Sequence, residues 1–397
     1  MKFAHMADLH LGAWSNHPVL REMPLKAFKK AVDICLDEAV DFVIIAGDFF
    51  DTSIPGIDVM RSAVSQLKRL HDHDVRVYVV TGSHDFSPSG KTIISVLEEA
   101  GLLVNIAKMK ESNSKIYLDF TKDKTGAKLC GIVGRRSSLE KSFFERLDKA
   151  IEKENGYKIF VFHSALEEYR PKHLKDMPGI SCNMLPKGFD YYAAGHVHVR
   201  NVIDFDGSKI VYPGPLFPAN FQELEKNEAG FFIVENGKEK YVQLKTVEVV
   251  LIDIDADGKT PGQVEDEVMS HIDKNAHNKV VLVRIRGTLA DGKPSDIDFR
   301  SIANEAEKNG ALTIKRNINK LKAKELEEVK VDEHLSVEEI ESKVIKEHLE
   351  NGETFENEED IIHALMSLLS QEKKQGETAS VFEKRIREDA KKIFCVE

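Results

Sequence analysis

The chain has 397 residues, 42% hydrophobic and 31% charged, with no run near 18 apolar residues and no signal-peptide pattern in Met1-Lys2-Phe3-Ala4-His5-Met6. It reads as a globular protein of two or three domains, without a membrane span or export. Cys35, Cys130, Cys182 and Cys395 lie far apart, which excludes a disulfide framework or zinc knuckle and suits a reducing cytosol. The net charge of −11 does not exclude a nucleic-acid partner, because residues 331–397 carry 9 Lys/Arg against 18 Asp/Glu, or −9, leaving residues 1–330 at −2.

Read in order, apolar runs alternate with amphipathic stretches. Lys2–Met6 reads as a buried strand ending in Ala7-Asp8-Leu9-His10. Leu25, Phe28, Val32, Cys35, Leu36 and Ala39 recur at helical spacing before a strand at Phe42–Ala46, which ends in Gly47-Asp48-Phe49-Phe50-Asp51. Val59, Met60, Ala63, Val64, Leu67 and Leu70 repeat the pattern before Val75–Thr81, which ends in Gly82-Ser83-His84-Asp85. Ser89-Gly90-Lys91-Thr92 is not a phosphate-binding loop, because Asp85 stands where that motif needs glycine; Gly90 is expected to start a helix. Ile159–Phe162 ends in His163, and Tyr191–Ala194 ends in Gly195-His196-Val197-His198.

Strand–helix–strand units imply a largely parallel sheet with helices on its faces. In an open α/β sheet the carboxyl ends of the strands line one crevice. Short strands follow at Val202–Phe205, Ile210–Tyr212, Gly230–Glu235 and Tyr241–Glu248, with hairpin turns at Asp206-Gly207 and Asn236-Gly237. After Asp255-Ala256-Asp257-Gly258 comes a helix (262–274), a strand (279–286), a helix (298–309) and a strand (311–317). Beyond Leu321 the chain turns charged and helical.

Five strand ends therefore deliver Asp, His, Asp, His and His-x-His to one place. Singly, each has an ordinary explanation: Gly-Asp after a strand is usually a turn, and a lone histidine is usually a satisfied semi-buried one. Together they have the layout of a dinuclear metal site. Carboxylate and imidazole suit hard divalent ions, and two such ions about 3.5–4 Å apart clamp the attacking and leaving oxygens of a phosphate ester. Asp48, after the tight turn at Gly47, is the natural bridging carboxylate. Asp8 and His10, like His196 and His198, lie two residues apart, so an extended backbone puts each pair on one side.

The series Asp-x-His, Gly-Asp, Gly-Ser-His-Asp, His and Gly-His-x-His resembles the calcineurin-like metallophosphoesterase superfamily. Within it, residues 5–12 and 47–52 resemble the nuclease subunit of the double-strand-break repair complex, the SbcD-type or meiotic recombination eleven family. Val211-Tyr212-Pro213-Gly214-Pro215 resembles a further stretch of that family, with Pro215 in place of serine. The resemblance is strong over residues 1–245; the unit after 250 fits by position and size only.

This resemblance implies an α/β fold: a layered metallophosphoesterase sheet core with helices on both faces, a small α+β capping domain and a helical C-terminal tail. Its expected boundaries are 1–248 for the nuclease domain, 249–321 for the DNA-capping domain and 322–397 for a charged linker and ATPase-binding region. It implies two manganese ions, one held by Asp8, His10, Asp48 and His198, the other by Asp48, Ser83, His163 and His196. His84 would be the acid–base residue outside the ligand set. Ser83 departs from the family's asparagine; a hydroxyl is a poorer ligand than an amide oxygen, so the second ion is expected to bind less tightly.

The implied partners are DNA ends, single strands and hairpins, a second copy of the chain, and a coiled-coil ABC-type ATPase, at a nucleoid-associated cytoplasmic location. Lys279, Arg284, Arg286, Lys315, Arg316 and Lys320 are candidates for DNA contact. Ile361, Leu365 and Leu369, and then Phe382, Ile386, Ile393 and Phe394, form apolar helical faces suited to the ATPase. The dimer would use the apolar-rich helices near Ile57–Leu70 and Lys91–Ala100. Two rival readings stand: a phosphatase or cyclic-nucleotide phosphodiesterase on the same core, and a DNA-binding scaffold with weak catalysis because of Ser83.

Overall fold

The computed structural model describes residues 1–86, 92–272, 276–324, 358–371, 373 and 379–393. Its first part contains β1 (Lys2–Met6), α1 (Met23–Asp37), β2 (Phe42–Ala46), α2 (Ile57–Asp72), β3 (Arg76–Val80), α3 (Ile93–Glu99), β4 (Val104–Asn105), β5 (Met109–Ser112), β6 (Lys115–Leu118), β7 (Thr121–Lys122) and β8 (Lys128–Ile132). Then come α4 (Lys141–Glu145), β9 (Lys158–His163), β10 (Tyr191–Gly195), β11 (Asn201–Phe205), β12 (Ser208–Tyr212), α5 (Phe221–Lys226), β13 (Gly230–Glu235), β14 (Lys238–Gln243) and β15 (Glu248–Asp255). Last are α6 (Pro261–His271), β16 (Lys279–Thr288), α7 (Phe299–Lys308), β17 (Thr313–Lys322), α8 (Glu358–Leu369) and α9 (Ala379–Ile393).

The site-bearing strands do not share one open sheet. They belong to two six-stranded sheets, ordered β14-β13-β1-β2-β3-β4 and β11-β12-β10-β9-β8-β7. β1, β2 and β3 run parallel in the first; β8, β9 and β10 run parallel in the second. Strands such as Phe42–Ala46 and Tyr191–Gly195 are buried along their whole length. Continuous apolar runs of this kind mark strands covered on both faces, and they leave open which sheet each strand joins.

Between the sheets, Phe3, Phe42, Ile44 and Tyr78 of one pack with Leu129, Ile159, Val161 and Tyr191 of the other. The outer face of the first sheet is covered by Phe28, Val32 and Leu67 of α1 and α2 and Ile94 and Leu97 of α3. Phe144 and Leu166 help cover the outer face of the second. The layered α/β core with helices on both faces is thus the one expected. A third sheet has the order β15-β16-β17. By compactness the chain falls into two units: Met1–Ile254 with Glu267–Arg284 and Phe299–Asn317, and Asp255–Asp266 with Ile285–Asp298 and Ile318–Glu397.

Other local expectations are corrected. Tyr241–Glu248 is not one strand; β14 starts at Lys238, straight after the Asn236-Gly237 turn, and β15 starts at Glu248 in another sheet. Both hairpin turns have left-handed backbones, Asp206-Gly207 at φ 51° and 76° and Asn236-Gly237 at 51° and 77°, as short antiparallel connections favour. The strands between residues 104 and 132 had no counterpart in the sequence reading; most are two to four residues long.

The expected helix start at Gly90 and most of the 322–350 linker lie outside the described residues, as does Phe394. In α3, Ile94 and Leu97 are core residues, while Met60, Val64 and Ile93 are partly buried against the same core, so the exposed apolar surplus is reduced to Ile57 and Val96. In α8 and α9, which pack on each other, Leu368 is the buried leucine and Leu369 is exposed.

His5 has a structural role of its own. It lies inside β1, fully buried, and Nδ1 hydrogen-bonds with the Tyr191 hydroxyl at 3.0 Å. Burial pushes its imidazole down to about 3. A neutral His5 therefore contributes stability that is complete above the unfolded value near 6.5 and is lost as pH falls toward 3. His5→Gln, which preserves a polar partner for Tyr191, should lose about 2 kcal/mol less stability than wild type between pH 7 and pH 5. Urea midpoints at the two pH values check this; equal losses would show that His5 does not govern the acid limb.

Candidate metal centre

The turns that carry the candidate ligands are held in backbone conformations few side chains adopt. Asp8, His10, Asp48 and His196 have φ of 51°, 43°, 49° and 92°. Non-glycine residues in this region are uncommon and concentrate at functional sites. Neighbouring strands enforce the geometry: Asp8 N–H donates to Gly47 O at 3.1 Å and His10 N–H to Asp48 O at 3.0 Å. His196 N–H donates to both Asp8 carboxylate oxygens, at 3.0 and 3.2 Å, which ties β10 to β1 across the two sheets. Glycine is required where the turns meet. At Gly47 (φ 87°) a Cβ would lie 2.1 Å from His163 Nδ1, and at Gly195 one would lie 2.0 Å from Ala46 O.

These turns bring Asp8, His10, Asp48, Ser83, His84, His163, His196 and His198 into one neighbourhood. Ligand atoms of Asp8, His10 and His198 lie within 4.8 Å of one another, and so do those of Asp48, His163 and His196, and of His10, Asp48 and His84. His10 Nε2 and His198 Nε2 are 3.1 Å apart, and His163 Nε2 lies 3.1 Å from Asp48 Oδ2. Ser83 is buried and lines the same cleft of about 500 Å³, together with His10, Asp48, His84, His196 and His198.

Charge is concentrated there. Burial opposes ionisation of Asp48, but the imidazoles of His163 and His10 hold its carboxyl well below the usual range. Burial likewise opposes a charged His163, yet Asp48 raises it to about 10. His198 is lifted against burial to about 9, chiefly by Glu223 and then Asp8. His196 is pushed down to about 3 by burial and by His163. Two buried ring nitrogens, His10 Nδ1 and His163 Nε2, make no well-directed hydrogen bond among the described residues, although carboxylate oxygens lie 3.3 and 3.1 Å away. Carboxylates and imidazole nitrogens packed this closely fit shared divalent cations, and the donor set suits them.

Each ring is aimed by a partner. Ala46 O accepts from His163 Nδ1 at 2.8 Å and Asp51 O from His84 Nδ1 at 2.7 Å, leaving Nε2 as the free nitrogen of each ring. His84 N–H donates to Asp48 Oδ1 at 2.8 Å. Asp85 orients the loop: its carboxylate accepts from the amides of Gly82, Phe49 and Phe50. Burial, with Asp48 nearby, pushes that carboxyl up to about 6.

Most of the basic residues proposed for DNA contact have partners of their own. Arg284 pairs with Glu225 and Asp253, Lys279 with Glu248, and Lys315 with His17 at 2.7 Å over the Trp14 ring; Arg316 stacks on Phe299. Arg286, which also has a partner, and Lys320 are exposed. The cleft itself holds residues the sequence reading missed: Arg200, Lys226 and Glu223. Glu223 had a legible signal in Asn220-x-x-Glu223, a helix-start pattern, but nothing in that pattern says that it meets His198.

Residues 1–200 match the model of the calcineurin-like phosphoesterases. The chain belongs to the calcineurin-like phosphoesterase family. It is a metal-dependent phosphodiester hydrolase by that membership. Three relatives of this phosphoesterase bear the name DNA double-strand break repair protein Mre11. That of Archaeoglobus fulgidus is 26% identical over 334 residues, 78% of this chain and 72% of that protein. That of Methanopyrus kandleri is 28% identical over 260 residues, 63% and 57% of the two. That of Sulfolobus acidocaldarius is 25% identical over 307 residues, 73% and 76%. The motif resemblance and these relatives agree on the same branch of the family. Among the described residues no helix is long and apolar enough to cross a membrane.

Proposed function

We propose that this phosphoesterase is a manganese-dependent DNA nuclease that trims ends and cuts single strands in double-strand-break repair. The observation that carries the chemistry is the pair of ligand clusters, Asp8–His10–His198 and Asp48–His163–His196, beside one another in one cleft. The names of the relatives supply the DNA substrate. One ion would be held by Asp8, His10, Asp48 and His198, and the other by Asp48, Ser83, His163 and His196. Bound divalent ions supply Lewis acidity toward the phosphoryl oxygens and activate water for in-line attack.

The chain's own residues do the rest. His84, with Nδ1 donating to Asp51 O, keeps Nε2 for the substrate, where its protonated form gives a proton to the leaving oxygen. Arg200, held over the Tyr241 ring at 4.5 Å, and Lys226 line the cleft and offset the charge of flanking phosphates. The capping and tail domains, the homodimer and the ATPase partner belong to the same proposal.

The test is manganese titration with duplex and hairpin DNA, alongside small phosphate esters. DNA cleavage that rises with manganese supports the reading; turnover of small esters with DNA left intact would favour the phosphatase. Ser83→Asn should tighten the second manganese site severalfold and preserve or raise cleavage, because an amide oxygen replaces a hydroxyl. Loss of manganese affinity in calorimetry would show a pocket built around serine.

A further inference from the structure

Glu223 stands directly behind His198. Its Oε1 accepts from His198 Nδ1 at 3.0 Å, and its Oε2 from Ala219 N–H at 2.8 Å. Asn220 Nδ2 also donates to Oε1, and Glu223 N–H donates back to Asn220 Oδ1 at 3.0 Å. The carboxylate is thus fixed from both sides, with 17% of its side chain exposed. On the neighbouring ring, His10 Nδ1 lies 3.3 Å from Asp51 Oδ1. His163 is different: a neutral backbone carbonyl, Ala46 O, holds its Nδ1.

An imidazole whose far N–H faces a carboxylate is locked in one tautomer and becomes a more basic ligand, whereas a carbonyl fixes the tautomer without adding charge. The Asp8–His10–His198 cluster therefore has a hydrogen-bonded carboxylate behind His198, and a second carboxylate near His10 that makes no hydrogen bond to it. The other cluster has a carbonyl behind His163 and the weak Ser83 hydroxyl beside it.

We infer that Glu223 is a positioning residue that makes the Asp8–His10–His198 site the tighter of two unequal sites, so that it fills first and the Asp48–His163–His196 site exchanges. The inference rests on the two-ion reading given above.

Calorimetric manganese titration of the full chain, with electron paramagnetic resonance and thermal melts of the metal-free protein, tests it on wild type, Glu223→Gln and Glu223→Ala. Wild type should bind manganese in two unequal steps. The coupled-pair signal should appear only with the second. Glu223→Gln keeps the shape and hydrogen-bonding capacity but removes the charge. It should weaken the tighter step about 10–100-fold and leave the weaker step unchanged.

An unchanged tighter step in both variants would overturn the inference. So would a loss confined to Glu223→Ala and matched by a lower metal-free melt, which would mean that Glu223 only anchors its loop. No manganese binding by wild type would overturn both this inference and the two-ion reading, whereas two wild-type steps indifferent to Glu223 would overturn the inference alone.

Discussion

Asp48→Asn should cut phosphodiester hydrolysis by at least about 10³-fold, some 4 kcal/mol of transition-state stabilisation. Asp48 is the one residue shared by the His10–His84 and His163–His196 clusters. Asparagine has the same shape and tolerates the left-handed backbone at φ 49°, so the fold should persist while the bridging charge is lost. Manganese stoichiometry should drop from two per chain to one or fewer in calorimetry. Two ions retained with near wild-type turnover would refute the bridge. Restored activity is not expected at higher manganese, because a neutral amide does not join two cations as a carboxylate does.

The second large effect is expected from His84→Ala: a fall in turnover of about 10²–10⁴-fold, the range of a positioned general acid, with both ions still bound. The geometry makes the rival outcome concrete. His84 lies close enough to His10 and Asp48 to be a ligand itself. Manganese affinity that fell together with turnover would move His84 into the ligand set and leave the leaving oxygen without a proton donor. The magnitudes are informative in themselves: phosphodiester cleavage demands acceleration of roughly 10¹⁵-fold, far beyond one histidine, so the cation-binding residues must carry the greater part.

The strands that carry Asp8, Asp48, His163 and His196 were legible because long apolar runs ended abruptly in Asp, His and Gly. Helices α1 and α2 were legible from the 3.6-residue period of residues such as Phe28 and Leu67. What escaped was pairing. A run such as Phe42–Ala46 says that a strand is covered on both sides, not which strands flank it, so two packed sheets read as one. Strands of two to four residues, such as Thr121–Lys122, are too short to show a period. Long-range polar contacts were equally hidden: Glu223 is 25 residues from His198, and the contact exists only because α5 follows β12 back over the cleft.

Asp8, His10, Asp48 and His196 occupy backbone conformations that glycine or asparagine would take with less strain, each at a cost on the order of 1–3 kcal/mol. They also crowd like groups: His10 and His198 face each other nitrogen to nitrogen. The backbone strain at these four positions opposes folding, and the hydrogen bonds that Asp8 and Asp48 accept from His196 and His84 offset part of it. A descendant freed from hydrolysis would relieve that strain by drifting to Asn or Gly at these four positions, and its lost chemistry would be visible there first. Asp and His at these positions are held against the preference of the backbone that carries them.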